Sequence, residues 1–204
     1  LEFNQVDCVM CATVHTNTPV AKGDLVGATR AIPLVMDRAP VERAATIAGR
    51  GGGILRVLPF QRFPAGLVIT GTEISQGLVA DRFAPILTRK MHALGGSVKE
   101  TIVVPDDADL ICGAVRSLID KGCEVIILSA GMSVDPDDVT RCGIEMAGAK
   151  DIHYGAAALP GAMFLVAAIG SVSLLGVPAC ALHFKITVLD LLLPRIMAGQ
   201  EVRK

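Results

Sequence analysis

Three short apolar runs, each followed by a polar turn, dominate the middle of the chain. They cover residues 67–70, 98–104 and 124–129, and each turn leads into a segment whose apolar residues recur at helical spacing. This alternation predicts parallel strands joined by helical crossovers. Ligands of such sheets bind beyond the carboxyl ends of the strands. The polar residues that follow the three runs are therefore the candidate functional site.

The same periodicity predicts the elements around these strands. Apolar positions three and four apart indicate helices, and glycines or prolines bound them. Two later apolar runs flank a Gly-Ser turn and predict a hairpin. The predicted helices cover residues 81–94, 106–119, about 135–146 and 181–197, and the predicted hairpin strands cover 164–168 and 172–175. The expected fold class is therefore α/β with a mostly parallel sheet.

The first part of the chain has a different pattern of apolar and polar residues and is predicted to be a small β-rich module. Its predicted elements are strands at 6–14, 25–36 and 54–60 and a helix at 40–48. A Pro-Ala-Gly sequence marks its end, so the predicted domains are residues 1–63 and 64–204. The sequence starts at Leu1 without a methionine, and we expect the first module to be a fragment of a larger N-terminal part.

Composition favours a well-packed protein without a polyanionic partner. The chain has 204 residues, 51% of them hydrophobic, and a mean hydropathy of +0.54, which favours a large core. A net charge of -1 gives no excess of positive charge for binding nucleic acid or an anionic membrane. There is no Trp and only one Tyr, so we expect no aromatic platform for stacked bases.

Residues 155–182 carry no charge and are long enough to cross a bilayer. Pro160, Gly170 and Pro178 interrupt this stretch. Two buried strands joined by a turn fit these interruptions better than a membrane helix does. We therefore predict a buried loop and hairpin here, and no membrane partner.

The six cysteines do not form a complete metal-binding pattern. Cys8 and Cys11 have the spacing of half a metal site or of a redox pair, but no second such pair follows. Apolar neighbours favour the interpretation that both are small residues in a buried strand. A reducing cytoplasm fits all six thiols.

The turns after the three central runs carry small and acidic residues. Residues 129–133 are small enough to expose backbone amides as an anion cradle, although tight turns favour small residues anyway. Acidic residues follow each run, namely Glu73, Asp106 with Asp107, and Asp137 with Asp138. Helix capping is the competing interpretation of the Asp pairs. Because Mg²⁺ is commonly bound by carboxylates together with phosphates, the combination predicts a phosphorylated ligand with Mg²⁺.

The order of these motifs resembles a known family. Thr70-Gly71-Thr72-Glu73, Pro105-Asp106-Asp107, the loop from Ser129 with Asp138 nine residues on, Pro160-Gly161 and Gly176-Val177-Pro178 match the molybdopterin-binding domain of molybdenum cofactor biosynthesis proteins. The resemblance covers residues 67–199. Residues 20–36 also resemble the part that precedes this domain in the molybdotransferase branch.

The resemblance implies a three-layer α/β domain that binds molybdopterin or its adenylylated form with the help of Mg²⁺. It implies a cytoplasmic protein that assembles as a homo-oligomer, either a dimer or a trimer. It assigns Glu73, Asp106 and Asp138 as catalytic and metal-binding residues. The cofactor-binding residues it implies are Thr70, Gly71, Thr72, Ser129, Ala130, Gly131, Met132, Ser133, Pro160, Gly161 and Pro178.

The sequence departs from the family pattern in ways that affect the expected activity. Thr72 stands where the molybdotransferase motif has Asp, and the loop at 159–163 lacks both lysines of that motif. Ala130 replaces the first glycine of a Gly-Gly pair, and residues 178–181 depart from a Pro-Gly-Asn-Pro loop. These departures favour binding over full catalysis. The leading hypothesis is a molybdopterin-binding protein of molybdenum cofactor synthesis, for which molybdotransferase is the candidate activity; the alternatives are a nucleotide-processing hydrolase of the competence-damage type and a non-catalytic pterin binder or carrier.

Overall fold

The computed structural model describes residues 2–130, 139–200 and 202. By its internal contacts the chain divides into two compact units, residues 1–59 and 60–204. The predicted Asp138, Gly131, Met132 and Ser133 lie outside the described residues, as do Asp135 to Asp137 of the predicted third helix.

The first unit is built around a two-stranded antiparallel sheet. Its strands are β1 (Val9–Thr13) and β2 (Gly27–Ala31), its helix is α1 (Arg38–Gly49), and short 3-10 helices cover Glu2–Gln5 and Arg50–Gly52. The strand predicted at 54–60 is wrong, because the structure assigns no strand there and Val57 is 69% exposed. β-branched residues alone do not make a strand; a strand also needs a neighbour to complete its hydrogen-bond ladder.

The expected burial of the paired cysteines is also wrong. Cys8 is exposed in the turn before β1, with φ of 65°, and Cys11 is half-buried within β1. Every residue of β1 is at least partly exposed. Apolar neighbours in sequence therefore did not indicate a core at this sheet.

The second unit is a three-layer domain around a six-stranded sheet with strand order β4-β3-β5-β8-β7-β6. The pairs β3–β4, β3–β5 and β5–β8 are parallel, and β8–β7 and β7–β6 are antiparallel. The strands and helices are β3 (Pro64–Thr70), α2 (Thr72–Ser75), α3 (Phe83–Ala93), β4 (Ser97–Val104), α4 (Ala108–Asp120), β5 (Val125–Ala130), α5 (Val139–Met146), β6 (Lys150–Tyr154), β7 (Leu165–Ile169), β8 (Val172–Pro178) and α6 (Val188–Met197). The three predicted parallel strands, the predicted hairpin and the fold class are confirmed.

Burial on both faces explains why the central strands read as continuous apolar runs. Residues on one face of the sheet, such as Val68 and Leu128, pack against α4 and α5. Residues on the other face, such as Leu67 and Ile127, pack against α3 and α6. Each central strand thus presents apolar side chains in both directions, as is typical of parallel sheets between helical layers.

β6, α2 and the start of the closing helix differ from the sequence prediction. The sequence analysis did not predict β6, because its Lys-Asp-Ile-His-Tyr sequence contains no apolar run and its side chains are largely exposed at the sheet edge. The closing helix begins at Val188 rather than at 181, since residues 179–182 form a separate 3-10 helix. Thr187 and Asp190 then form a capping box that starts α6.

The uncharged stretch at 155–182 contains β7 and β8, which pair as the predicted hairpin. Across the part of the chain that the structure describes, no helix combines the length and the apolar character needed to span a bilayer.

We expect Leu174→Ala to lower the free energy of unfolding of the second unit by about 2–5 kcal/mol, because Leu174 is fully buried in β8 and the substitution leaves a cavity. Leu191→Ala removes the same atoms from a side chain that is 57% exposed. For that control we expect a change of about 0.5 kcal/mol or less. Urea unfolding followed by circular dichroism measures both, and equal losses would contradict the assigned core.

Candidate functional site

Four parallel strands end at one edge of the sheet. Thr70 at the end of β3 lies opposite Val104 at the end of β4, and Ala130 at the end of β5 lies opposite Pro178 at the end of β8. β3 and β5 end together as well, because Ile69 lies opposite Ser129. These four strands therefore end at the same edge of the sheet, hereafter the carboxyl edge.

The loop that enters β7 lies at the same edge. β7 runs antiparallel to β8, and its first residue, Leu165, lies opposite Gly176 near the end of β8. Pro160 and Gly161 precede β7 in this loop. The described members of the predicted site thus follow or precede strand ends at one edge of the sheet.

Three consecutive backbone amides at the end of β3, those of residues 70–72, donate hydrogen bonds to residues at the ends of β5 and β4 and just after β4. The Thr70 N–H donates to Ser129 Oγ at 3.2 Å, and the Gly71 N–H donates to the Val104 carbonyl at 3.0 Å. The Thr72 N–H donates to Asp106 Oδ2 at 3.2 Å. These hydrogen bonds fix the start of the loop after β3 relative to β4 and β5.

The predicted ligand-binding side chains of Thr70 and Ser129 are engaged with each other's strands. Besides the amide contact to Ser129 Oγ, the Thr70 hydroxyl donates to the Ser129 carbonyl at 2.8 Å. Thr70 is 7% exposed and Ser129 is 1% exposed. In this arrangement both side chains brace β3 against β5.

Gly71 is needed where the chain turns from β3 into α2. Its φ is 147°, and an added Cβ would lie 3.3 Å from Ile74 Cδ1. An L side chain rarely adopts this conformation. Glycine at this position therefore serves the turn itself.

The three described acidic residues of the site have different surroundings. Asp107 caps α4, since its Oδ1 accepts from the Leu110 N–H at 2.9 Å. Asp106 accepts from Thr72 instead. The exposed Glu73 carboxylate has neither a hydrogen bond nor an ion pair to any residue that the structure describes. Helix capping thus accounts for Asp107, whereas Glu73 has no such role among the described residues.

A complete metal site is not seen in the described part of the chain, where no three His, Cys, Asp or Glu side chains come together. The proposed third carboxylate, Asp138, lies outside that part. The Mg²⁺ prediction therefore remains a prediction.

The Pro160–Gly161 loop is attached to the start of α6. The Pro160 carbonyl accepts from the Val188 N–H at 3.1 Å. Gly161 has φ of 113°, and an added Cβ would lie 3.0 Å from the Val188 backbone nitrogen. The close approach of two backbones explains the glycine.

Sequence reasoning missed a cluster of polar contacts beside this loop. The Lys90 ammonium forms an ion pair with Asp190 and donates to the Lys185 carbonyl at 2.9 Å. Asp190 also accepts from the Thr187 N–H at 2.8 Å. The spacing of Thr187 and Asp190 is typical of a capping box and could have been recognised in the sequence. The ion-pair partner Lys90 lies 100 residues from Asp190 in the sequence, and no sequence pattern indicated it.

Cys180 follows β8 at the carboxyl edge but is not an activated nucleophile. Burial raises the pKa of the Cys180 thiol above its ordinary value. The thiol therefore stays protonated at neutral pH, and a protonated thiol is a poor nucleophile.

Of two cavities lined by described residues, one lies away from the carboxyl edge and the other borders the loop that enters β7. One of about 270 Å³ is lined by Glu124, Ser171 and Ser173, at the amino ends of β5 and β8. Another, of about 550 Å³, lies between β6 and α6, lined by His153 and Arg195. We place the candidate site at the carboxyl edge because the polar loops of four strands converge there.

Comparison with known families identifies the domain. A family model described as "Probable molybdopterin binding domain" matches residues 66–198, more than half of the chain. The chain belongs to the molybdopterin-binding domain family. The resemblance seen in the sequence is thereby confirmed.

Individual relatives of this molybdopterin-binding domain carry several names. A "Probable FAD synthase" from Caenorhabditis briggsae is 31% identical over 99 residues, which are 48% of this chain and 19% of the relative. A CinA-like protein from Frankia casuarinae is 35% identical over 83 residues, which are 41% of this chain and 19% of that protein. The chain thus matches about one fifth of the length of these curated relatives.

Among solved structures, the molybdopterin biosynthesis MoeA protein from Pyrococcus horikosii has a TM-score of 0.55 at 19% identity, covering 78% of this chain and 40% of that one. This similarity shows that the fold is shared.

We expect Asp107→Ala to lower the free energy of unfolding by about 0.5–2 kcal/mol, because α4 loses its N-cap acceptor. Asp109→Ala is the matched control, since Asp109 lies in the first turn of α4 without being its cap. It should lose only the interaction with the helix dipole, about 0.3–1 kcal/mol. Urea unfolding measures both, and a smaller loss for Asp107→Ala than for Asp109→Ala would contradict the cap.

Proposed function

We propose that this domain binds molybdopterin, or its adenylylated form, at the carboxyl edge and works in molybdenum cofactor synthesis. The proposal is supported by the observation that β3, β4, β5 and β8 end at the same edge of the sheet. The family motifs follow the ends of these strands in the sequence. Membership of the family supports the pterin as ligand.

We propose further that Mg²⁺ bridges the protein and the phosphate of the ligand. The loop at 159–163 contains no lysine or arginine, so it supplies no cation to balance a phosphate. Glu73 is exposed at the same edge, and its carboxylate is not engaged by the described residues. The carboxylates of Glu73 and Asp138 alone would repel a phosphate, and a divalent ion bound by them and by the phosphate would make the interaction attractive.

We propose molybdotransferase chemistry as the reaction, with Mg²⁺ polarising the diphosphate of adenylylated molybdopterin when it is bound. The role of this chain's residues is to hold and orient the ligand. The absence of lysines at 159–163 makes a carrier without turnover the competing outcome of the test.

A second candidate is a nucleotide-processing enzyme. The similarities to a "Probable FAD synthase" and to a CinA-like protein favour it. FAD and adenylylated molybdopterin both join a fused nitrogen ring system to an adenylyl diphosphate. The two proposals therefore differ in the ring that the site accepts.

The ligand is identified by measuring what the full chain binds and converts. We expect the purified protein to bind molybdopterin, detected by pterin fluorescence after release, and to bind FAD at least about tenfold more weakly, a difference of about 1.4 kcal/mol. Release of AMP from adenylylated molybdopterin that depends on molybdate and yields a molybdenum-bound pterin would establish transfer, whereas release of AMP without molybdate would indicate hydrolysis. Tighter binding of FAD, or hydrolysis of it, would favour the second candidate.

We expect Asp138→Ala to leave the protein folded and to weaken Mg²⁺-dependent ligand binding by about tenfold or more. The reason is that the bridging ion loses one of its carboxylates. Calorimetric titration with AMP, with and without Mg²⁺, compares wild type with the variant. Equal affinities in all four titrations would remove Asp138 from the ligand site.

A further inference from the structure

We propose that Asp106 is a positioning residue that holds the first turn of α2, and that Glu73 is the carboxylate which this turn presents to the ligand. The inference rests on the proposed function and assigns separate roles to two acids of its site. It would remove Asp106 from the predicted set of metal ligands.

The start of α2 lacks a cap of its own. Its N-cap residue is Gly71, which has no side chain to accept a hydrogen bond from the first turn. The first amides of any helix need acceptors from outside the helix. Asp106 Oδ2 supplies one of them by accepting from the Thr72 N–H at 3.2 Å. Asp106 therefore caps α2 from a neighbouring loop.

The same two residues contact each other a second time. The Asp106 N–H points at the Thr72 hydroxyl oxygen, 3.5 Å away. One residue earlier on the first loop, the Gly71 N–H donates to the Val104 carbonyl at 3.0 Å. The loops after β3 and β4 are thus joined at three points within a few residues. Their relative position is set before any ligand arrives.

Glu73 has a fixed backbone and a side chain that the described residues leave unengaged. Its carbonyl accepts from the Leu78 N–H at 2.9 Å and from the Val79 N–H at 3.3 Å. Its amide directly follows the Thr72 amide that Asp106 holds. An unengaged carboxylate on a braced backbone is suited to contact a ligand or its metal ion.

The two acids are separable because they need different chemical properties. Capping by Asp106 requires an acceptor oxygen and no charge, whereas contact with a cation requires the charge of Glu73. Asp106→Asn retains an amide oxygen that can accept from Thr72, and Asp106→Ala does not. Glu73→Gln retains the shape of its side chain and removes the charge.

The test combines binding and amide exchange in the full chain. The binding probe is AMP, titrated calorimetrically with and without Mg²⁺. We expect Asp106→Asn to bind within about twofold of wild type, and both Asp106→Ala and Glu73→Gln to bind about tenfold more weakly with Mg²⁺. In NMR hydrogen exchange, we expect the Thr72 amide to exchange about tenfold faster in Asp106→Ala and unchanged in Glu73→Gln and Asp106→Asn.

Equal loss of affinity in Asp106→Asn and Asp106→Ala would overturn the inference, because it would show that the charge of Asp106 is required. Unchanged exchange of the Thr72 amide in Asp106→Ala would overturn it as well. Wild-type protein that binds neither AMP nor molybdopterin would instead reject the proposed function, and with it the ligand role of Glu73. The exchange measurement would still decide the capping role of Asp106 on its own.

Discussion

Parallel pairing of β3 with two neighbours is the interaction on which the rest of the second unit depends. β4 and β5 both pair with β3, so its backbone groups are satisfied on each side while its side chains are buried on both faces. Buried backbone groups need such partners. The register of these two pairings also decides which residues stand at the strand ends. The core and the site geometry therefore have the same origin.

At the carboxyl edge the hydrogen bonding of the sheet continues through side chains. On either side of the main-chain bond from the Gly71 N–H to the Val104 carbonyl, Ser129 Oγ and Asp106 Oδ2 accept from the amides of Thr70 and Thr72. Side-chain oxygens thus replace carbonyls where neighbouring strands diverge into loops. Polar residues at strand ends therefore serve architecture as well as binding.

The sequence was most informative where a strand is buried on both faces, because a short continuous apolar run between turn residues is typical of such a strand. It failed at β6, whose polar sequence resembles a loop until a neighbouring strand pairs with it. It also failed at Cys8, since local apolarity does not reveal whether a second layer covers a sheet. At the site, topology predicted that Thr70 and Ser129 would stand at one edge. The engagement of these two side chains with each other depends on register, which the sequence alone did not supply.

The connection between β6 and β7 differs from the other connections at the carboxyl edge. It is a hairpin loop, closed by bonds from the Gly155 N–H to the Phe164 carbonyl at 2.9 Å and from the Ala156 N–H to the Ala162 carbonyl at 2.7 Å. Lengthening it would displace no crossover helix, and each doubling of loop length costs only about 0.6 kcal/mol in closure entropy. Apart from the contact of Pro160 and Gly161 with Val188, this loop can therefore gain or lose residues at the edge of the candidate site with little effect on the parallel strands.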